Sequence, residues 1–213
     1  MTDFSALQNA VIDGDAKLTR QLTDQLLVAG VDPQTILSEA LVPSMSVVGD
    51  RFECGEYFVP ELLIAARAMK SALEPLRPLL AKAGAKSAGM VVIGTVKGDL
   101  HDIGKNLVAA MLEGGGFEVV DLGVDVAPEK FVAVLNEKKP DLVALSALLT
   151  TTMTAMKDTI KALEAAGVRK TVKIMVGGAP VTDAFAKEIG ADGYSDNAGA
   201  AVHLARKLLG ATA

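Results

Sequence analysis

Apolar residues follow two different rhythms along this chain. Up to about residue 86 they recur at steps of three and four, the spacing of one helix face. Beyond that point they gather into short continuous runs separated by amphipathic stretches. The first rhythm predicts helices alone. A short helix is expected over about 3–12. Asp15 can cap a second that runs to about Ala29 and stops at Gly30. Asp32 and Pro33 supply the cap and first residue of a third, with Ile36, Leu37, Ala40 and Leu41 on one stripe. Pro60 opens a fourth, where Leu62, Ala66, Met69, Leu73 and Leu76 share a face. Four such helices make a small bundle. Residues 80–86, with AKAGAK at their centre, read as a linker between a domain over 1–86 and another over 87–213.

The second rhythm alternates strand with helix. Runs at 89–94 (GMVVIG), 117–122, 142–146 and 173–176, with a very short one at 192–195, are bounded by turn residues. Helical patterns fill 103–113, 128–138, 152–166, 182–189 and 198–209. Buried Val/Ile-rich runs separated by helices predict a parallel sheet covered on both faces. Five such units give a doubly wound α/β domain, whose ligands sit outside the carboxyl ends of the strands.

Composition narrows the functions this fold can serve. Half of the 213 residues are hydrophobic, which suffices for buried cores, and the net charge is −5 with no basic run. Nucleic acid and anionic membranes are therefore not expected partners. The polar first ten residues do not read as a secretion signal, and no apolar stretch is long enough to span a bilayer. The single cysteine, Cys54, cannot form an internal disulfide, which fits the reducing cytoplasm.

The loops after the strands should then hold the chemistry. The first is TVKGDLHDIGKN, residues 95–106. It matches neither a phosphate-binding loop nor a dinucleotide fingerprint. Asp99 stands two residues before His101, and Gly104 three after. A carboxylate beside an imidazole can accept one ring N–H and leave the other nitrogen as a lone-pair donor, as a metal ligand or a general base requires. The bare pattern also suits a solvated surface loop. Lys97 and Lys105, which flank it, read as exposed lysines. Residues 145–153, LSALLTTTM, place the hydroxyls of Ser146, Thr150, Thr151 and Thr152 at one strand end, where one of them is expected to cap the next helix. Gly177 and Gly178 leave room for something bulky close to the backbone, or for a tight turn. Tyr194, Ser195, Asp196 and Asn197 form a polar rim before the last helix. In the first half, a loop with Gly49 and Gly55 offers flexible points. No G-x-S-x-G elbow is present, and two distant histidines with one cysteine supply no zinc site.

Taken together, Asp99-x-His101-x-x-Gly104, Ser146-x-Leu148 and Gly177-Gly178 resemble, in order and spacing, the signature of the cobalamin-binding domain family. Residues 47–62, VVGDRFECGEYFVPEL, resemble the signature of that family's helical cap. The whole chain is similar to the small corrinoid proteins of methyltransferase systems that use methanol, methylamines, betaines or methoxyaromatics. It is also similar to the cap and cobalamin modules of cobalamin-dependent methionine synthase. The resemblance implies a four-helix cap followed by a five-stranded flavodoxin-like domain. It implies cobalamin or a related corrinoid, bound base-off with His101 as the lower axial ligand and sole protein ligand of the cobalt. Asp99 would bond the far ring nitrogen, and Thr152 would extend that relay where methionine synthases carry a serine. Gly104, Ser146, Leu148, Gly177 and Gly178 would line the slot for the displaced nucleotide tail, with Asp102 and Ile103 beside them. Thr150 would touch the corrin or the tail, and Tyr194 and Asn197 would close the slot. Phe52 and Val59 would cover the upper face, Val59 replacing the leucine of methionine synthases.

The function so implied is a methyl carrier that is not catalytic alone. Co(I) would accept a methyl group through a substrate-specific methyltransferase. Methyl-Co(III) would pass it to a second methyltransferase that serves a thiol coenzyme or a folate, with a reductive activator rescuing oxidised cofactor. Overall resemblance favours a methylamine or betaine donor. A subunit of an adenosylcobalamin-dependent mutase would share the sheet domain but lack the helical cap. A cobalamin-sensing regulator would add a DNA-binding helix-turn-helix and a basic face.

Overall fold

In the computed structural model, residues 2–82 (the side chain at 81 apart) and 87–210 are described, so positions 83–86 of the expected linker lie outside the described residues. The chain divides into two compact units. One comprises Met1–Ser87 with Ala110–Gly116, the other Ala88–Ala109 with Phe117–Ala213.

The helical unit contains α1 (Ser5–Ile12), α2 (Ala16–Val28), α3 (Pro33–Thr35), α4 (Val42–Glu53) and α5 (Val59–Lys82). Asp15 caps α2 by accepting the Leu18 N–H at 2.9 Å, and Asp32 caps α3 by accepting that of Thr35 at 3.0 Å. Between α3 and α4 the backbone stays helical but widens into a π segment, Ile36–Leu41, where the Val42 N–H reaches back to the Leu37 carbonyl. Pro43 accounts for the break in the regular ladder. It has no N–H for the Glu39 carbonyl four residues back, and the side-chain amide of Gln8 on α1 donates to that carbonyl instead, at 2.9 Å. The core is made by Leu7, Val11, Ile36, Leu41, Met45, Val48, Leu62, Met69 and Leu76. Of the stripe expected on α5, Ala66 is only half-buried, while Ala65, Ala68 and Ala72 are buried and widen the apolar face. Gly49 is not in a loop: it lies buried inside α4, and only Gly55 bends the chain, at φ +78°.

The other unit is a five-stranded sheet in the order β2-β1-β3-β4-β5, parallel throughout. Its strands are β1 (Met90–Thr95), β2 (Glu118–Asp121), β3 (Leu142–Ser146), β4 (Lys173–Gly177) and β5 (Gly193–Tyr194). The helices are α6 (Ile103–Gly114), α7 (Pro128–Lys138), α8 (Met153–Ala165), α9 (Asp183–Ile189) and α10 (Ala198–Leu209). β1 and β3 are buried along nearly their whole length, as strands covered on both faces must be. Val92, Val143, Leu145, Ile174 and Val176 pack with Phe131, Met156, Ile160 and Leu163. Gly94 admits the Phe131 ring, because a Cβ there would stand 2.9 Å from its tip. From β1 the chain steps to β2 on one side and then to β3 on the other. The loops after β1 and β3 therefore diverge, and their strand ends bound a crevice at this switch point. Among the described residues, no helix is long and apolar enough to cross a membrane.

Candidate functional site

Asp99 is the centre of the switch-point crevice. Its side chain is 0% exposed, yet it is a carboxylate. A buried carboxylate survives only if its oxygens are hydrogen-bonded. Here one oxygen accepts the Leu148 N–H at 2.7 Å and the Thr152 hydroxyl at 2.7 Å. The other accepts the His101 backbone N–H at 3.0 Å and faces His101 Nδ1 at 2.7 Å. Burial alone would raise its pKa. The bonds from Thr152, Leu148 and His101 outweigh that, and hold the group well below the usual carboxylate range.

An ionised carboxylate can only accept, so the hydrogen-bond network assigns the proton of a neutral His101 ring to Nδ1. Nε2 is left as the lone-pair nitrogen. The ring is half in solvent, its side chain 50% exposed, while its anchor is not exposed at all. Thr95 on β1 holds the other side of the loop, its hydroxyl donating to the His101 carbonyl at 2.9 Å.

Thr152 stands at the cap position of α8 but makes no capping bond. Its hydroxyl carries one proton, with Asp99 Oδ2 at 2.7 Å and the Leu149 carbonyl at 2.9 Å as competing acceptors. The charged oxygen is the stronger partner. The expectation of a capping threonine thus gives way, at this position, to a bond that ties the β3 loop to the β1 loop.

Large apolar side chains are exposed in the loops after the same strands. Leu100 is 72% and Ile103 77% exposed, and Val124, Leu148 and Leu149 are also open to solvent. These five are all the exposed large hydrophobics of the sheet unit among the described residues, and all lie after β1, β2 or β3. Exposed large apolar side chains gathered after the same strand ends are costly in water and point to a binding surface.

The remaining residues singled out in the sequence sit along the same strand ends or apart from them. Ser146 is half-buried in register with Thr95 on one side and Gly177 on the other. A Cβ on Gly177 would stand 3.1 Å from the Ser195 carbonyl. Gly178 has φ +132°, and a Cβ there would come within 1.8 Å of the Ala147 carbonyl oxygen. Its missing side chain is already required by the protein's own backbone. Gly104, in the first turn of α6, faces open space. Asp102 is exposed and accepts from the Asn106 amide at 3.1 Å, and Thr150 is exposed. Tyr194 is half-buried on β5, and Asn197 caps α10 by accepting the Ala200 N–H at 2.8 Å. In the helical unit Phe52 is half-buried near the end of α4, and Val59, the first residue of α5, is exposed.

Lys105 departs from its expectation as an exposed lysine. It is buried on α6, with its ammonium on Asp121 at the end of β2 and on the Asn106 side chain. Sequence reading also passed over Asp125, whose carboxylate accepts the Gly98 N–H at 2.7 Å. A left-handed residue in a V-D-V context carries no local signal.

Comparison with known proteins places this geometry. Two family models, each described as a B12 binding domain, match residues 89–203 and 4–77. Trimethylamine corrinoid protein 2 of Methanosarcina acetivorans is 47% identical over 92% of this chain and 91% of its own length. The crystal structure of a cobalamin-binding protein from Desulfitobacterium hafniense is 36% identical, with a TM-score of 0.81, covering 98% of this chain and 99% of that one. A chain of the methanol:cobalamin methyltransferase complex of Methanosarcina barkeri is 32% identical, with a TM-score of 0.85, over 98% of this chain and 80% of that one. Matched by both family models and by such relatives over more than nine-tenths of its length, this chain belongs to the family of B12-binding corrinoid proteins.

Proposed function

We propose that the chain holds a corrinoid and carries methyl groups on it between methyltransferases. One observation carries this reading: the half-exposed His101 has Nδ1 locked to a buried carboxylate, which leaves Nε2 as the donor, and exposed apolar side chains lie in the loops after the same strands. The donor set fits such a group. Among the described residues no cluster of three or more His, Cys, Asp or Glu side chains could hold a bare ion. A lone imidazole suits a metal whose other positions are filled by a ring of its own. The exposed Leu100, Ile103, Val124, Leu148 and Leu149 suit the flank of a large, mostly apolar macrocycle.

In this reading His101 would hold the cobalt through Nε2, in place of the corrinoid's own base. The bound group supplies a cobalt that takes up a methyl group and gives it up again. Asp99 orients the imidazole and fixes its tautomer. Thr152 and the Leu148 N–H keep Asp99 ionised and still. Were the imidazole released, a proton would be held at Nε2 itself, with the ionised Asp99 carboxylate facing the ring from Nδ1. Ser146, Leu148, Gly177 and Gly178 border the space for the displaced tail, with Tyr194 and Asn197 at its far end. Gly104, with Asp102 and Ile103 beside it, would line the same space, and Thr150 would touch the corrin or the tail.

A substrate-specific methyltransferase loads the carrier, a second unloads it to a thiol coenzyme or a folate, and a reductive activator restores oxidised cofactor. A cytoplasmic location goes with these partners. The higher identity to a trimethylamine corrinoid protein than to the methanol-system chain favours a methylamine donor.

The test is direct. Purified protein is mixed with hydroxocobalamin, desalted and examined by visible absorption, then incubated with trimethylamine or methanol and the matching methyltransferase. Retained colour, with methylation of the bound cofactor from trimethylamine, is the expected result. A colourless protein after desalting overturns the proposal, and methylation from methanol alone overturns the choice of donor.

A further inference from the structure

The turn joining β2 to α7 takes no part in the bonds among His101, Asp99 and Thr152, yet it grips the His101 loop along its length. The Thr95 N–H donates to the Gly123 carbonyl and the Val126 N–H to the Thr95 carbonyl, each at 3.0 Å. Val96 and Val126 form a parallel bridge beyond the strands. Asp125 then closes on the loop twice: its carboxylate accepts the Gly98 N–H at 2.7 Å, and its own N–H donates to the Asp99 carbonyl at 2.9 Å. Asp125 does this from a left-handed conformation, φ +51°, opposite Gly98 at φ +82°. Asp tolerates that region where most residues do not.

The same turn also holds the far side of the loop. Asp121 accepts the Gly123 N–H through one oxygen, at 2.9 Å, and through the other meets the Lys105 ammonium at 2.5 Å. The Lys105 side chain is 1% exposed. A buried ammonium is costly unless paired. Its partner Asp121 is 41% exposed, so the pair is half in solvent. It fixes the first turn of α6, directly after His101, against the end of β2.

We infer that the β2–α7 turn is the positioning element of His101, with Asp125 holding the loop before it and the Lys105–Asp121 pair holding the helix after it. The inference rests on the reading of His101 as a metal ligand. A ligating side chain must be held within about 0.5 Å of its working place, and an unsupported loop does not do this. Asp125, Asp121 and Lys105 act through the backbone that carries His101.

The experiment compares wild type with Asp125→Gly, Asp125→Asn and Lys105→Met. Glycine keeps the left-handed backbone and removes the acceptor, asparagine keeps both, and methionine keeps the buried volume without the charge. Two readouts are taken: amide hydrogen exchange of the cofactor-free protein, and hydroxocobalamin titration followed by visible absorption. Asp125→Gly is expected to speed exchange at Gly98 by about tenfold and to weaken hydroxocobalamin binding by about tenfold, the effect of one lost hydrogen bond to a charged group. Asp125→Asn should restore both to within about threefold of wild type. Lys105→Met should speed exchange at Asn106 and weaken binding similarly, and it tests the inference alone should Asp125→Gly not fold. Wild-type exchange and wild-type affinity in Asp125→Gly and Lys105→Met overturn the inference. Exchange that responds as described in a wild-type background that takes up no hydroxocobalamin leaves the clamp standing and overturns the function assigned to His101.

Discussion

Four donors converge on Asp99, and the consequence is a carboxylate that gives up its proton more readily folded than unfolded. Such a group adds stability at any pH above the ordinary carboxylate range. That contribution drains away as acid lowers the pH through about 4 toward the folded value. Urea denaturation of the cofactor-free protein should therefore show wild type exceeding Asp99→Asn by a larger margin at neutral pH than near pH 3. An equal margin at both would show that the charge is not what the site stabilises. Thr152→Val removes one of the four donors at nearly constant volume and should destabilise by about 1–2 kcal/mol, while Thr152→Ser keeps most of that. The Asp99–His101 pair was legible in the sequence because both partners lie in one loop two residues apart. Thr152 is 53 positions from Asp99, and spacing alone did not show that its hydroxyl would serve Asp99 rather than cap its own helix.

Between secondary-structure elements, two of the three glycines carried over from the family resemblance have different physical reasons. Gly178 is demanded by the fold, since a Cβ would collide with the Ala147 carbonyl and the backbone lies at φ +132°. Gly178→Ala should cost about 3 kcal/mol or more in a thermal melt, with or without cofactor. Gly104 faces open space in the first turn of α6. Gly104→Ala should leave the cofactor-free protein as stable as before, or up to about 1 kcal/mol more so, while weakening hydroxocobalamin binding. Unchanged binding would remove Gly104 from the site. The alternation of strands and helices was readable because buried runs bounded by glycine and proline are local signals. What escaped was set by packing across the chain. The π segment before Pro43 needs Gln8 of another helix to complete it. Gly49 lies inside α4 and not in a turn, because its neighbours Val48 and Met45 bury that face.

For the whole molecule, the sheet order places the His101 loop and the Thr152 loop where the chain reverses direction across the sheet. A ligand held there binds only the folded chain and must stabilise it by mass action. Loading with hydroxocobalamin at about a hundredfold excess over its dissociation constant should add about 2.7 kcal/mol, visible as a rise in melting temperature that grows with ligand concentration. His101→Ala should shrink that rise, and should also lower the melting temperature of the unloaded protein, because it removes one of the four donors to the buried Asp99 carboxylate. The charge and hydrophobicity of the chain bounded its partners, but the residues that hold His101 in place, Asp125 and the Lys105–Asp121 pair, became visible only once β2 was seen beside β1.

The most direct test of the account is electron paramagnetic resonance of the Co(II)-corrinoid-loaded protein, prepared once with ordinary histidine and once with 15N-histidine. An imidazole nitrogen on the cobalt predicts superhyperfine triplets that become doublets on labelling and vanish in His101→Ala. Triplets that persist unchanged in the labelled protein would mean that the nitrogen comes from the corrinoid's own base, and would contradict the central claim.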